Sequence, residues 1–290
     1  VDQPLVQYNV AEDCSRQMNP TDYPSGWQRV AAGIWPWKCK DSVFQYNECY
    51  NNQYAYHGNG DGQAWDADWT DGTLYQYNYS HGNSRGAIMF CGAEAVNTTF
   101  RYNISENELT GPLDLPGNPD AHIYNNTFYM NENIKSIFDR TGGNAVLENN
   151  IFYYGGSTPL NQNWYPGGTL QYDNNLYYNF ANTPSGDKNA VVVNAGTKVL
   201  EDAGSGPSSN TSGIAYIKEN ASVFDGYKLA EDSPAINAGK VITDNNGYDL
   251  EHDFFGHALT DIPEIGAAES DYVTVTATSN VYNVANDQIS

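Results

Sequence analysis

The chain has 290 residues, 40% apolar and 13% aromatic, so it is long enough to bury a sizeable core and too hydrophobic to stay disordered. Its net charge of −22, from 35 acids against 13 Lys and Arg, argues against nucleic acid, acidic membrane surfaces and, more weakly, polyanionic substrates, and leaves neutral sugars and divalent cations as partners. No run of 18 apolar residues marks a membrane helix, and the opening Val-Asp-Gln-Pro has neither Met nor the pattern of a secretory signal, so it reads as a mature or trimmed end.

The first element is the phrase Val6-Gln-Tyr-Asn9. It returns as Phe44-Gln-Tyr-Asn47, Tyr75-Gln-Tyr-Asn78 and Phe100-Arg-Tyr-Asn103, then in altered form as Ile123-Tyr-Asn-Asn126, Leu147-Glu-Asn-Asn150 and Tyr172-Asp-Asn-Asn175. The asparagines are 38, 31, 25, 23, 24 and 25 residues apart. Short strand patterns fill each unit and no 3.6-residue periodicity appears. A unit of this length cannot bury its own apolar face, so units must stack. The expected fold is all-β: a right-handed parallel β-helix, a solenoid with coils at the strand spacing of about 4.8 Å, an internal Asn ladder and a C-terminal capping region. An irregular β-sandwich is the alternative. Residues 1–180 are expected to form the coils that carry the site, and residues 181–290 the terminal coils, capping loops and C-terminal strands. Because the repeat phrase begins at Val6, the first coil is expected to need a cover: a partner chain or a removed segment on its N-terminal side.

Four cysteines follow, Cys14, Cys39, Cys49 and Cys91, with no Cys-x-x-Cys pair and no accompanying His cluster. Zinc is therefore not expected, and one or two disulfides are, if the protein is secreted. Few lysines among many Asn, Tyr, Gly and Thr is a composition associated with secreted polysaccharide-acting enzymes. Of six Asn-x-Ser/Thr sequons, Asn78 and Asn103 coincide with the repeat and are expected inside. Asn97, Asn125, Asn210 and Asn220 are the candidate glycan sites of a glycoprotein.

A second strand per coil aligns on Ile34, Trp65, Ile88, Leu113 and Ile137, spaced 31, 23, 25 and 24 residues apart. With these pointing inward, alternation turns Trp35, Asp66, Met89, Asp114 and Phe138 outward, and two residues on Trp37, Asp68, Cys91, Pro116 and Arg140. A one-residue slip at the longer first coil would turn the tryptophans inward. Asp66 and Asp68 therefore share an outer face with Trp35 and Trp37 one coil before and Asp114 two coils after.

This face holds the densest acidic stretch, His57-Gly-Asn-Gly-Asp-Gly-Gln-Ala-Trp-Asp-Ala-Asp-Trp-Thr-Asp71. Carboxylates beside indole rings make a sugar subsite: rings stack on pyranose faces, and two acids share glycosidic cleavage, one protonated and one ionised. Asp61, Asp66 and Asp68 are the catalytic candidates, because mutual repulsion raises the pKa of one of them. Trp35, Trp37, Trp65, Trp69, His57, Arg85 and Asp114 are the candidate substrate-binding residues. His57 and His81 also suit ordinary turn positions, and Arg85 suits a plain salt bridge equally well. The pattern Asp66-x-Asp68-x-x-Asp71-Gly72 resembles the opening of an EF-hand loop, but no Glu stands at loop position 12. No metal is assigned and no cofactor is required. Ca²⁺ between coils and a merely solvated acidic turn are the two other uses of these residues.

Asp61-Gly-Gln-Ala-Trp-Asp-Ala-Asp68, followed by Tyr75-Gln-Tyr-Asn-Tyr-Ser-His81, resembles the β-helix module of glycoside hydrolase family 136, the lacto-N-biosidases, over residues 40–95. The resemblance implies two catalytic aspartates seven residues apart, Asp68 as nucleophile and Asp61 as acid/base. Near the end, Ser233-Pro-Ala-Ile-Asn-Ala-Gly239, Asp253-Phe-Phe-Gly256 and Ile265-Gly-Ala-Ala-Glu269 resemble the closing segment of secreted β-helix polysaccharidases. The expected function is a secreted glycoside hydrolase acting on an oligosaccharide or polysaccharide. A Ca²⁺-dependent polysaccharide lyase and a non-catalytic carbohydrate-binding solenoid are the alternatives.

Overall fold

The computed structural model describes residues 2–14, 32–53, 61–92, 95–117, 120–207, 221–243, 247–248 and 250–270. It is a parallel β-solenoid of short strands in three sheets. The first sheet stacks β1 (Leu5–Gln7), β3 (Val43–Gln45), β6 (Leu74–Gln76), β9 (Thr98–Arg101), β12 (Ala121–Tyr124), β14 (Asn144–Glu148) and β16 (Thr169–Asp173), in that order. The second stacks β2 (Val10–Glu12), β4 (Glu48–Tyr50), β7 (Tyr79–His81), β10 (Ile104–Glu106), β13 (Thr127–Met130), β15 (Ile151–Tyr154), β17 (Leu176–Tyr178) and β18 (Val191–Val193). The third, of β5 (Trp65–Asp68), β8 (Ile88–Cys91) and β11 (Leu113–Asp114), carries the acidic cluster.

The repeat phrase is the corner between the first two sheets. Its apolar residue is the next-to-last of a first-sheet strand and faces the core, in the register Phe44↔Tyr75↔Phe100↔Ile123↔Leu147↔Tyr172. The next-to-last residue of the phrase makes the bend. Tyr8, Tyr46, Tyr77, Tyr102, Asn125, Asn149 and Asn174 all have φ between 48° and 61°, the left-handed region. A tyrosine there is strained, by roughly 1–2 kcal/mol, and stacking offsets it: Tyr8 on Tyr46 at 5.3 Å and Tyr46 on Tyr77 at 5.2 Å. The later coils place Asn at the same bend, a residue that tolerates this conformation. The altered phrases are therefore the same corner with a different solution to one strained residue.

The last residue of each phrase points in. Its backbone N–H and its amide Nδ2 both donate to the Oδ1 of the next coil's asparagine: Asn9 to Asn47, Asn47 to Asn78, Asn78 to Asn103, Asn103 to Asn126, Asn126 to Asn150 and Asn150 to Asn175, all at 2.9–3.1 Å. The second Nδ2 hydrogen goes to main-chain carbonyls, such as Phe44 O from Asn78 and Tyr75 O from Asn103. Asp187 receives the last asparagine, Oδ2 accepting from Asn175 N at 3.1 Å and Nδ2 at 3.0 Å. A second such column runs at another corner. Cys14 N donates to Asn52, Asn52 to Asn83, and Asn83 N to Glu108 Oε2 at 2.7 Å. Burial pushes the Glu108 carboxyl up to about 7.

Between the columns lies a core of aligned rings: Phe44 on Tyr75, Phe100 on Phe128, Phe128 on Phe152 and Phe152 on Tyr177, with centroids 5.0–6.2 Å apart. The segment after β18 does not simply sit on one end. It runs back along the flank of the coils. The short 3-10 helix Ala221–Tyr227 sets Phe224 against Tyr79. Ala267 N donates to Thr127 Oγ1, Gly266 N to Asn149 O, Tyr77 Oη to His252 O and Tyr46 Oη bonds His252 Nε2. Asn125 lies under this segment, buried, its amide donating to Glu264 O and Gly266 O. That removes Asn125 from the candidate glycan sites. Asn97 lies at the surface and bonds Asp71, and Asn210 and Asn220 fall outside the described residues. The four cysteines are free thiols, so the expected disulfides are absent from this structure.

Replacing Asn103 by Ala would take the acceptor from two buried donors of Asn78 and leave Tyr75 O without its amide. The expected cost is about 3 kcal/mol, read as a lower urea midpoint with an unchanged denaturant slope.

Candidate active site

The outer face of β5 is set by its register. Trp65, Asp66, Ala67 and Asp68 pair with Ile88, Met89, Phe90 and Cys91 of β8, and bridges join Ile34 to Trp65 and Trp37 to Asp68. The first coil therefore keeps step, and Trp35 stands level with Asp66 and Trp37 with Asp68. Alternation sends Trp65 and Ala67 into the core, both fully buried. Trp65 consequently offers no ring face to a sugar, against its expected role in binding. Trp35, Trp37 and Trp69 are exposed, Trp37 by 60%. Lys38 Nζ lies 5.1 Å from the Trp37 ring and 5.6 Å from that of Trp69.

One coil departs from the expected alignment. Leu113 bridges Phe138, not Ile137. Phe138 is then a core residue instead of an outward one, Asp139 stands beside Asp114, and Leu115 N donates to Arg140 O, which leaves the Arg140 side chain on the outer side. Ile137 and Phe138 are adjacent and both apolar, so spacing alone offered two frames.

The outward row is not open to solvent. Asp66 is 4% exposed and Asp114 0%, because residues 61–63 and Arg140 lie over them. Gln63 Nε2 donates to Asp114 Oδ2 at 2.5 Å, and its Oε1 accepts from Gly62 N at 2.8 Å. Arg140 grips Asp114 through Nε, 2.9 and 3.1 Å from the two oxygens, and Nη2, 2.5 Å from Oδ2. The same Nη2 lies 3.8 Å from Asp61 Oδ1. Asp114, expected to touch substrate, is instead enclosed between Gln63 and Arg140. Arg85 is similarly engaged, its Nε donating to Asp139 Oδ2 at 2.7 Å, which is the salt-bridge use of that residue.

Asp61, Asp66 and Asp68 remain. Burial pushes all three carboxyls above the ordinary range. Asp66 rises furthest, through burial and then the charges of Asp68, Asp61 and Asp114. For Asp61, Arg140 works against burial. Asp68 is the least enclosed member of the row, and a hydrogen bond from the Cys91 thiol favours its ionised form. The thiol stays protonated for this, since burial, Asp66 and Asp68 push it up to about 12. Asp66 Oδ1 and Asp68 Oδ1 are buried without a hydrogen-bond partner among the described residues. Buried oxygens left unbonded on an outer face are acceptor positions waiting for a donor.

His57 falls outside the described residues. His81 lies on the second sheet, stacked on Tyr50 and Tyr79 with Nε2 3.3 Å from Glu48 Oε1, away from the acidic row. Among the described residues no three His, Cys, Asp or Glu side chains converge to hold a metal ion. Gln63, Cys91, Asp139 and Arg140 belong to the site without having been singled out as candidates. The scarcity of cations in so acidic a chain was a usable signal for Arg140.

No family model matches the chain. It is 49% identical over 295 residues, 99% of its length, to the lacto-N-biosidase of Bifidobacterium longum subsp. longum, and it spans 18% of the length of that relative. Two crystal structures of the GH136 lacto-N-biosidase from Eubacterium ramulus, one native and one a selenomethionine derivative, are each 38% identical to it, covering 58% of this chain and 24% of that one, with a TM-score of 0.44. The similarity seen at residues 40–95 thus extends along nearly the whole chain.

A buried carboxyl whose pKa is raised in the folded state contributes stability below its unfolded pKa, near 4, and that contribution is lost as pH rises toward the folded value. Asp66→Asn keeps the shape and removes the titration. The variant is expected to melt higher than wild type at pH 7, with the difference vanishing near pH 4, as measured by thermal denaturation at the two pH values.

Proposed function

We propose, on the strength of this similarity, that the chain is the β-solenoid region of a secreted glycoside hydrolase that cleaves a glycosidic bond in an oligosaccharide, with lacto-N-biosides as the first substrates to try. The observation that carries the reading is the convergence of Asp61, Asp66 and Asp68 on one outer face beside exposed tryptophans, in a chain 49% identical to a lacto-N-biosidase.

In this reading Asp68 is the ionised carboxylate. It sits on a strand held by neighbours on both sides, is less enclosed than Asp66, and receives the Cys91 thiol. Asp61 is the acid/base. It lies on the glycine-flanked approach to β5, where burial favours the protonated form. Asp61 gives its proton to the glycosidic oxygen as the C1–O bond breaks and an Asp68 oxygen bonds to C1. Water then displaces Asp68, and its proton returns to Asp61. Asp66, held neutral, donates a hydrogen bond to whichever oxygen faces it and adds no charge against Asp68. Trp35, Trp37 and Trp69 supply stacking faces for the sugar rings.

Asp61→Asn and Asp68→Asn are each expected to lower kcat/KM by on the order of a thousandfold or more, with the circular dichroism spectrum unchanged. The assay is release of reducing sugar from a panel of oligosaccharides that includes lacto-N-biosides. Near-wild-type turnover by either folded variant would remove that residue from the mechanism. Product absorbing in the ultraviolet would indicate a lyase, and no sugar release from any glycan a binding solenoid.

A further inference from the structure

Arg140 touches two carboxylates, and it treats them differently. Toward Asp114 it is a hydrogen-bonding partner, with Nε and Nη2 spread over both oxygens at 2.5–3.1 Å. Toward Asp61 it is a charge only, since 3.8 Å lies beyond a hydrogen bond. The guanidinium cannot turn to improve the second contact without giving up the first. Asp114 is itself immobile: fully buried, on a strand, and bonded to Gln63. Gln63 in turn accepts the backbone N–H of Gly62, the residue after Asp61. A closed circuit results: Asp61, the Gly62 backbone, Gln63, Asp114, Arg140 and back to Asp61. One arm sets where the Asp61 backbone lies, and the other sets the charge its carboxyl faces.

We infer that Arg140, held in place by Asp114, is a positioning residue for Asp61: it fixes a cation beside that carboxyl at a distance that leaves both carboxyl oxygens free for the substrate. The inference rests on the reading of Asp61 as acid/base. A general acid needs to be neutral when the leaving oxygen departs and ionised when water attacks, so its two forms must be close in energy. Asp61 is surrounded by Asp66, Asp68 and Asp114, with Arg85 and Arg140 as the facing cations. Without Arg140, burial and the carboxylates of Asp114 and Asp68 would outweigh Arg85 and favour the neutral form, and the proton would be released less readily. With Arg140 bonded directly to Asp61, the ionised form would win, as in an ordinary salt bridge. The Asp114 anchor holds the middle course.

The test is the pH dependence of kcat/KM in the intact protein, whose basic limb reports loss of the Asp61 proton. Arg140→Gln removes the cation and should move that limb up by about one pH unit, leave the acidic limb in place, and lower kcat about tenfold with little change in KM. Arg140→Lys should return the limb most of the way. Asp114→Asn keeps the shape and the acceptor but removes an anion, so it should move the same limb down. Shifts of opposite sign are not produced by a merely structural role. An unmoved basic limb in the folded Arg140→Gln variant, or shifts of the same sign in both, would overturn the inference. Asp114→Asn decides alone if Arg140→Gln does not fold: a limb that stays put or rises counts against it. Asp61→Asn is measured alongside. If it retains hydrolysis, the acid/base reading falls and this inference with it. If it is inactive while the limbs stay put, only the inference about Arg140 falls.

Discussion

One inward asparagine per coil holds this molecule in register. A buried carboxamide is costly unless every hydrogen and lone pair is used. Here they are used by the next coil's asparagine and by backbone carbonyls. A coil shifted by one residue would break these pairs. Side chains alternate along a strand with period two, so this same register decides which residues of Trp65–Asp68 face the core and which face out. A slip of one residue would bury two aspartates among aromatic rings and expose Trp65. The catalytic proposal is therefore downstream of a purely structural bond several side chains away.

The outer face runs on opposed electrostatic preferences. Enclosing Asp61, Asp66 and Asp68 makes each harder to ionise than it would be in water. Arg140 and the Cys91 thiol favour the charged forms of Asp61 and Asp68 respectively. Asp66 is the most enclosed of the three, and among the described residues its Oδ1 has no hydrogen-bond partner. Three identical side chains within eight residues thus acquire three different protonation tendencies from their surroundings alone. The protein gives up stability at neutral pH to hold them so, which is a common condition of active sites.

The fold was legible because the corner phrase survives seven coils, and because both its residues have physical reasons to recur. The outer row was legible from spacing as far as Leu113. It failed at Ile137-Phe138, where two neighbouring apolar residues fit either frame. Trp65 was expected both as an inward marker and as a sugar platform, and its alternation partners show that it serves only the first. The enclosure of Asp66 and Asp114 was not legible at all. It depends on how far Gln63 and Arg140 reach across coils, and periodicity carries no information about side-chain reach. The second polar column escaped notice because its members, Asn52, Asn83 and Glu108, differ in residue type although their spacings of 31 and 25 match the repeat.

Stacked coils of this kind ordinarily come apart in sequence, from whichever end is weaker, because each coil contacts only its neighbours. The returning segment changes that. His252 bonds Tyr46 and Tyr77, Gly266 bonds the chain at Asn149, and Ala238 O accepts from Asn174. A single length of chain is thereby fastened to early and late coils alike. Peeling the second coil strains bonds anchored at the seventh, and the reverse holds as well. The strap converts a row of separable units into one mechanical body, so that force or heat applied at either end is shared by the coils in between, including those that carry Asp61, Asp66 and Asp68.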